Sequence, residues 1–304
     1  MKNKVESYKK IAPPFGYFGS KNRIAFELCK KLPPHNCWVE AFCGSSAVTL
    51  AKPPAPIEII NDIDGEIVNL FRQLRNNSKQ LCKKIELTPY AELELTSARN
   101  SVDDISELER ARQFLVKSMM AINGSFGTSK GGFSYSDSYS RNNKEARVNR
   151  WNNLPNRIEK VVSRLKNIRI ENKDAKKLIE RFKDRPGTLM YLDPPYLAKR
   201  VNGYDNEAND YNFHLDLLNL ICESNAMIFI SGYKNDLYQD LLTKEKGWSI
   251  KEIDATTQGS NGTTKKRTEV VWMNEYFIEA KKSGKIPLEL NKKEIINKKL
   301  NPKR

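Results

Sequence analysis

Residues 189–197 read 189-LMYLDPPYL-197: four apolar or aromatic residues, then a carboxylate, two prolines and a second tyrosine. Proline has no N–H to give to a β-ladder, so a strand running through this stretch must stop at Leu192. The run before the stop is continuously apolar rather than alternating, which is the pattern of a parallel strand covered on both faces. The stretch thus sets down a buried strand and a stiff polar corner at its carboxyl end.

Similar apolar runs occur at 38–42, 57–60, 168–170, 226–230 and 270–273. Helical spacing fills the gaps, with Ile67, Leu70, Phe71 and Leu74 on one face and Leu215, Leu218 and Ile221 on another. Strands alternating with helices predict an α/β protein built on an open, mostly parallel, doubly wound sheet. The alternation fails between about 76 and 165. That segment holds helical patterns (107-ELERARQFLVKSMMA-121 and 155-PNRIEKVVSRL-165) around a glycine, serine and aromatic stretch, 123-NGSFGTSKGGFSYSDSYS-140. It reads as an insertion with its own helices and a long loop or hairpin. The expected organisation is a discontinuous core domain, 1–75 and 166–280, an insertion at 76–165 and a basic tail at 281–304.

The 304 residues carry a formal charge of +15 with 39% hydrophobic content, enough for a real core. Such a positive excess favours a polyanionic partner, nucleic acid before membrane surface. The five cysteines form no CxxC pair and only two histidines are present, His35 and His214, so neither a disulfide framework nor a metal site is expected. No stretch approaches the ~18 apolar residues of a membrane helix, and the N-terminus lacks an apolar leader. A cytoplasmic protein, monomeric or weakly dimeric, is expected.

Four strand ends face one crevice, and the last three of them offer acids to it. The first runs into Phe42-Cys43-Gly44-Ser45-Ser46-Ala47, a small-residue turn before a helix, which suits either a plain turn or a ligand close to backbone N–H groups. The second ends in Asn61-Asp62, where an acid can accept both hydroxyls of a ribose or cap a helix; Asp64 can cap while Asp62 binds. The third is followed by Asn172-Lys173-Asp174-Ala175, and the fourth delivers Asp193. Together these residues describe a site for an adenosine-like molecule with a second group beside Asp193.

The ordered set resembles the Dam-type (D12 class) adenine-specific DNA methyltransferases, in their phage and prophage-like branch. The resemblance rests on 14-PFGYFGSK-21, Phe42-x-Gly44, 61-NDIDGEIVNLFRQLR-75, 151-WNNLPNRIEKVVSRLKNIRIENKDA-175, Asp193-Pro194-Pro195-Tyr196 and 231-SGY-233, spanning roughly 11 to 277. It implies a class I, Rossmann-like methyltransferase fold with S-adenosylmethionine as donor and double-stranded DNA as substrate. By motif position Tyr17 and Lys21 border the cofactor, and Glu40, Ala41, Phe42 and Gly44 hold its methionine end. Asp62 takes the ribose, Ile63 lies against the adenine ring, and Asp174 with Ala175 contacts that adenine.

An exocyclic adenine amine is a poor nucleophile because its lone pair is delocalised into the ring. The Asp193 carboxylate and the Pro194 carbonyl can orient its hydrogens and stabilise charge growing on nitrogen, with Pro194 and Pro195 holding the acceptors still. Tyr196 can stack on a base flipped out of the duplex. No Pro-Cys pair is present, consistent with direct transfer. The insertion is the expected reader of sequence, with Lys130, Arg141, Lys144, Arg147 and Arg150 placed to position phosphates among Phe126, Phe133, Tyr135 and Tyr139, or else simply solvated. Lys265, Lys266 and Arg267, before the last strand, are a further expected phosphate contact. His214 is expected to start a helix or fill packing space. N4-cytosine methylation, an RNA substrate and a catalytically silent nucleic-acid-binding relative are the rival readings.

Overall fold

The computed structural model describes residues 8–16, 20–30, 32–100, 104–122, 124, 131–141, 143–197, 207–258 and 264–288, without side chains at 207–210, 255–258 and 264–267. Nine strands are found among them: β1 (Cys37–Glu40), β2 (Ile57–Asn61), β3 (Ser140–Arg141), β4 (Lys144–Glu145), β5 (Arg169–Glu171), β6 (Thr188–Leu192), β7 (Met227–Gly232), β8 (Ser249–Gln258) and β9 (Thr264–Met273). Seven of them form one sheet in the order β5-β2-β1-β6-β7-β9-β8. β2 pairs with β5, and β6 with β7, in parallel, whereas β9 is antiparallel to β7. This is the strand order and polarity of class I methyltransferases, as the sequence led one to expect. The sequence did not reveal β8. The strand expected at 270–273 begins earlier, at Thr264, so Lys265, Lys266 and Arg267 lie within β9 rather than before it.

The chain divides into two compact units. The first comprises residues 1–31, 40–175 and 253–268. Its organiser is the helix Gly65–Asn76, started by Asp64, whose side chain accepts from the Glu66 N–H at 2.8 Å. Helical spacing puts Ile67, Leu70, Phe71 and Leu74 on one stripe, all fully buried. That stripe shares an apolar cluster with Leu81, Leu95, Leu115, Ile158 and Leu165 from the helices Ser78–Glu86, Glu92–Arg99, Glu107–Met120 and Leu154–Leu165. The helices of the expected insertion therefore complete the core that the Gly65–Asn76 helix begins. Phe15 joins them edge-on to Phe114, ring centroids 5.1 Å apart. A buried charge cluster adds a polar tie. Glu58 on β2 accepts from Lys52 Nζ at 2.7 Å and from Arg164 Nη2, on the last of these helices, at 2.7 Å.

A short hairpin follows the stretch read as a long loop or hairpin: Ser140 pairs with Glu145 and Arg141 with Lys144. Asn143 supplies the left-handed backbone of its turn, φ 55°, which asparagine adopts more readily than most residues.

The second unit comprises 32–39, 176–252 and 269–304. Every residue of β6 and β7 is buried, which explains their unbroken apolar runs. Trp38, Tyr191 and Phe229 form an aromatic row, Tyr191 stacking on Phe229 at 4.6 Å. β7 and β9 run together from Phe229 opposite Met273 to Gly232 opposite Val270.

Candidate active site

Of the expected cofactor residues that are described, all but Asp193 fall in the first unit. β1 ends in Glu40, and the chain then turns through Gly44 (φ 46°) and Ser46 (φ 54°) into the helix Ala47–Ala51. A left-handed serine is strained, so something must hold it. Glu40, 2% exposed, does so by accepting from Ser46 Oγ at 3.1 Å, from the Thr49 N–H at 3.2 Å and from Thr49 Oγ1. Ser20 Oγ meets Ser45 Oγ at 2.8 Å, which brings the segment of buried Lys21 to the same turn.

The Gly44 N–H donates to Asp62 Oδ2 at 2.8 Å and the Asp64 N–H to Asp62 Oδ1 at 3.0 Å. Each oxygen retains a lone pair for a further donor. Burial raises the Asp62 carboxyl above its ordinary range, against the pull of these N–H bonds. Ile63 follows with 71% of its surface exposed, an apolar platform beside a half-buried acid.

The loops after β1, β2 and β5 are tied by two asparagines whose roles the sequence did not disclose. Asn61 Nδ2 donates to the Ala41 and Lys173 carbonyls, both at 3.0 Å, and its Oδ1 accepts from the Lys173 N–H at 2.9 Å. Asn172 Nδ2 donates to the carbonyls of Asp62 at 2.8 Å and Ile63 at 3.1 Å. Asp174 and buried Ala175 follow directly, at the start of the helix Ala175–Phe182. Bonds thus tie Ala41, Gly44, Asp62, Ile63 and Lys173 together, with Phe42 and Asp174 next to them in the chain. Tyr17 lies outside the described residues.

The corner belongs to the second unit. Asp193 leaves the carboxyl end of β6, where Leu192 lies opposite Ile230 of β7. Ser231 Oγ donates to Asp193 Oδ1 at 2.9 Å, and Tyr191 OH lies 2.9 Å from the same Ser231 oxygen. With its proton directed to Asp193, Ser231 accepts from Tyr191. His214 is not at a helix start: it lies inside the helix Glu207–Cys222, 2% exposed. Its Nε2 donates to the Pro195 carbonyl at 2.8 Å and its Nδ1 accepts from Tyr238 OH at 2.9 Å. Among the described residues no donor reaches the carbonyl of buried Pro194, whereas that of Pro195 is tethered.

Tyr196 is half-buried, its ring edge-on to Tyr233 at 4.5 Å and its hydroxyl donating to Glu269. Burial first, then the charge of Asp193, pushes the phenol above its ordinary range and keeps it protonated. Tyr233 and Glu269 were not foreseen as partners of this ring.

Of the expected DNA contacts, Arg141 and Lys144 stand exposed and paired at the hairpin tip, and Arg147 is exposed on the helix Ala146–Asn152. Lys130 lies outside the described residues, as do the side chains of Lys265, Lys266 and Arg267. Among the described residues there is no cluster able to hold a metal ion and no helix long and apolar enough to cross a membrane.

The sheet order and the acid-proline-proline-tyrosine corner define a class I methyltransferase acting on an exocyclic amine. The profile of the D12 class N6 adenine-specific DNA methyltransferases matches residues 17–258, and the chain belongs to that family. It is an adenine-specific DNA methyltransferase. It is similar to the Type II methyltransferase M1.LlaDCHI of Lactococcus lactis subsp. cremoris, 25% identical over 299 residues that cover 90% of this chain and 97% of the relative. Among solved structures, an assigned methyltransferase of Escherichia coli aligns with TM-score 0.33 and 12% identity over 84% of this chain and 83% of that one. An assigned methylase of Haemophilus influenzae aligns with TM-score 0.36 and 13% identity over 86% and 91%. Both scores are too low to bear on the fold.

Proposed function

We propose that the first unit holds S-adenosylmethionine and that the corner of the second orients the N6 amine of an adenine flipped out of double-stranded DNA. The cofactor, when bound, supplies an electrophilic methyl group on sulfur. The chain's residues fit it: a half-buried carboxylate with spare lone pairs at Asp62, an exposed apolar face at Ile63, and a strained turn at Gly44–Ser46 that keeps backbone close to a ligand. Lys21, Glu40, Ala41, Phe42, Asp174 and Ala175 border the same place.

The observation that carries the reading is the acceptor pair at the corner. Ser231 fixes one Asp193 oxygen, and the Pro194 carbonyl has no donor among the described residues. Two acceptors set by a stiff turn take the two amine hydrogens, turn the nitrogen lone pair outward and stabilise the charge that grows on nitrogen. No covalent intermediate on the protein is needed. Tyr196, propped by Tyr233, offers a ring to the extruded base, and stacking recovers roughly 1–3 kcal/mol of the cost of flipping. The segment 76–165 serves as the target-recognition insertion, contacting DNA through Arg141, Lys144 and Arg147, and Lys130, Lys265, Lys266 and Arg267 serve as further phosphate contacts.

The test is transfer from labelled S-adenosylmethionine to unmethylated duplex DNA, followed by digestion to nucleosides. Label in N6-methyladenine, abolished by Asp193→Ala with cofactor binding retained, is expected. Label in N4-methylcytosine, or transfer that survives Asp193→Ala within a few-fold, would overturn the assignment.

A further inference from the structure

Several arginines of the first unit pair with carboxylates, Arg72 with Glu107 and Arg169 with Glu171 among them. Arg110 pairs with Glu66, Arg112 with Glu94 and Glu109, and Arg164 with Glu58. Arg147, Arg150 and Arg157 have no carboxylate partner among the described residues. They sit on two consecutive helices, Ala146–Asn152 and Leu154–Leu165, joined at Asn153. Arg147 and Arg150 are one turn apart on the first; Arg157 is in the opening turn of the second.

Nor are all three free in solvent. Arg150 and Arg157 are half-buried. Arg157 Nη2 donates to the Pro13 carbonyl, and Arg150 Nη2 lies 3.5 Å from where a methyl on Gly16 would stand. Both guanidinium groups thus pack on the Pro13–Gly16 backbone. Burial, then the neighbouring arginine, lowers the pKa of each: Arg147 acts on Arg150 and Arg150 on Arg157. Half-buried like charges without a counter-charge are destabilising, and chains keep them where a ligand supplies the missing charge.

A second feature indicates which anion. Tyr90, whose phenol feels the charge of Arg147 and Arg150, donates to the Ser134 carbonyl at 2.5 Å. Its ring packs on Phe133 at 5.2 Å, and Phe133 on Tyr135 at 6.5 Å, Tyr135 being 66% exposed. An aromatic row thus leads from the arginines to the surface. Guanidinium groups for phosphate beside rings for bases is the chemistry of a nucleic-acid strand rather than of a lone inorganic ion.

We infer that Arg147, Arg150 and Arg157 form one phosphodiester site that clamps the DNA backbone against the Pro13–Gly16 segment, with Phe133 and Tyr135 facing the adjoining nucleotides. The site rests on the reading of duplex DNA as substrate. It adds Arg157 and makes Arg150, expected from the sequence as a phosphate contact, the half-buried part of a site of which Arg147 is the exposed rim.

Affinity for a labelled unmethylated duplex, measured against salt, tests it. Each phosphate contact contributes about 0.9 to the slope of log K against log salt. Arg150→Gln should lower the slope by about one and weaken binding roughly tenfold at low salt. Arg150→Lys keeps the charge and should keep the slope. Arg110→Gln removes the same charge from an arginine that Glu66 already neutralises, and should leave the slope near that of the unaltered chain. If Arg150→Gln does not fold, Arg147→Gln, at an exposed position, must lower the slope in its place. A steep unaltered slope that these substitutions do not change would overturn the site alone. A flat slope in the unaltered chain would overturn the DNA reading and the site with it. Lost S-adenosylmethionine affinity with DNA binding intact would assign the arginines to the cofactor and overturn the proposal.

Discussion

Ser231 Oγ donates to Asp193 Oδ1 at 2.9 Å across the ends of two adjacent parallel strands. The bond removes one rotational freedom from the acid that meets the amine, and Tyr191 behind it fixes which way the serine proton points. Ser231→Ala should therefore lower kcat about tenfold, equivalent to ~1.4 kcal/mol of transition-state stabilisation, while leaving the S-adenosylmethionine Kd unchanged. Single-turnover transfer and cofactor titration check the two halves. An unchanged kcat would show that Asp193 needs no such support.

His214 acts on the same corner from its far side. A buried imidazole bridging the Pro195 carbonyl and Tyr238 fixes the tilt of the second peptide of the turn. It touches no reacting atom in this reading and is a positioning residue. His214→Ala should cut kcat roughly tenfold to a hundredfold with little change in cofactor Kd. His214→Gln, whose amide can still donate to the carbonyl, should recover part of that loss. A merely structural histidine would give variants differing in thermal stability but equal in kcat per folded molecule.

The corner was legible because prolines after an apolar run admit few readings. The parallel strands were legible for the same local reason: burial on both faces leaves an unbroken apolar run such as that of β7. β8 was not. Its sequence, 249-SIKEIDATTQ-258, is polar and charged, as an edge strand that ends the sheet order can be. The start of β9 hid for the same reason, in Lys265-Lys266-Arg267. Asn61, Asn172 and Ser231 were part of quoted motifs without a role, because their partners are far away in sequence. Asn61 and Lys173 are 112 positions apart, and no periodicity records such a bond. His214 was expected to start a helix or to fill packing space; it is buried, but its flanking residues carry no sign of the Pro195 carbonyl it reaches.

Asp62 and Ile63 give a prediction separable from catalysis. Asp62→Ala removes the half-buried acceptor and both of its backbone tethers, so S-adenosylmethionine affinity should fall about tenfold to a hundredfold. Ile63→Ser, at a side chain 71% exposed, should leave folding intact and weaken the same affinity by a smaller factor, from lost apolar contact with the adenine ring. Calorimetric titration distinguishes these. Equal affinity in both variants would remove the ribose and adenine assignments.

The cluster of Lys52, Glu58 and Arg164 predicts how stability follows pH. Burial pushes the Glu58 carboxyl up, but hydrogen bonds and charge from Arg164 and Lys52 outweigh it and hold the carboxyl below its ordinary value of 4.5. A carboxyl whose folded pKa is depressed binds fewer protons than its unfolded form, so its contribution is fully present above that ordinary value. It is lost as the pH falls from there through the folded pKa. Glu58→Gln leaves two cations nearly buried without their counter-charge, which should cost about 3–5 kcal/mol at neutral pH. Denaturant melts at neutral and at acid pH measure both effects. The gap between the unaltered chain and Glu58→Gln should narrow toward acid. A gap that stays constant across that range would mean that Glu58 is not the ionised partner of Lys52 and Arg164.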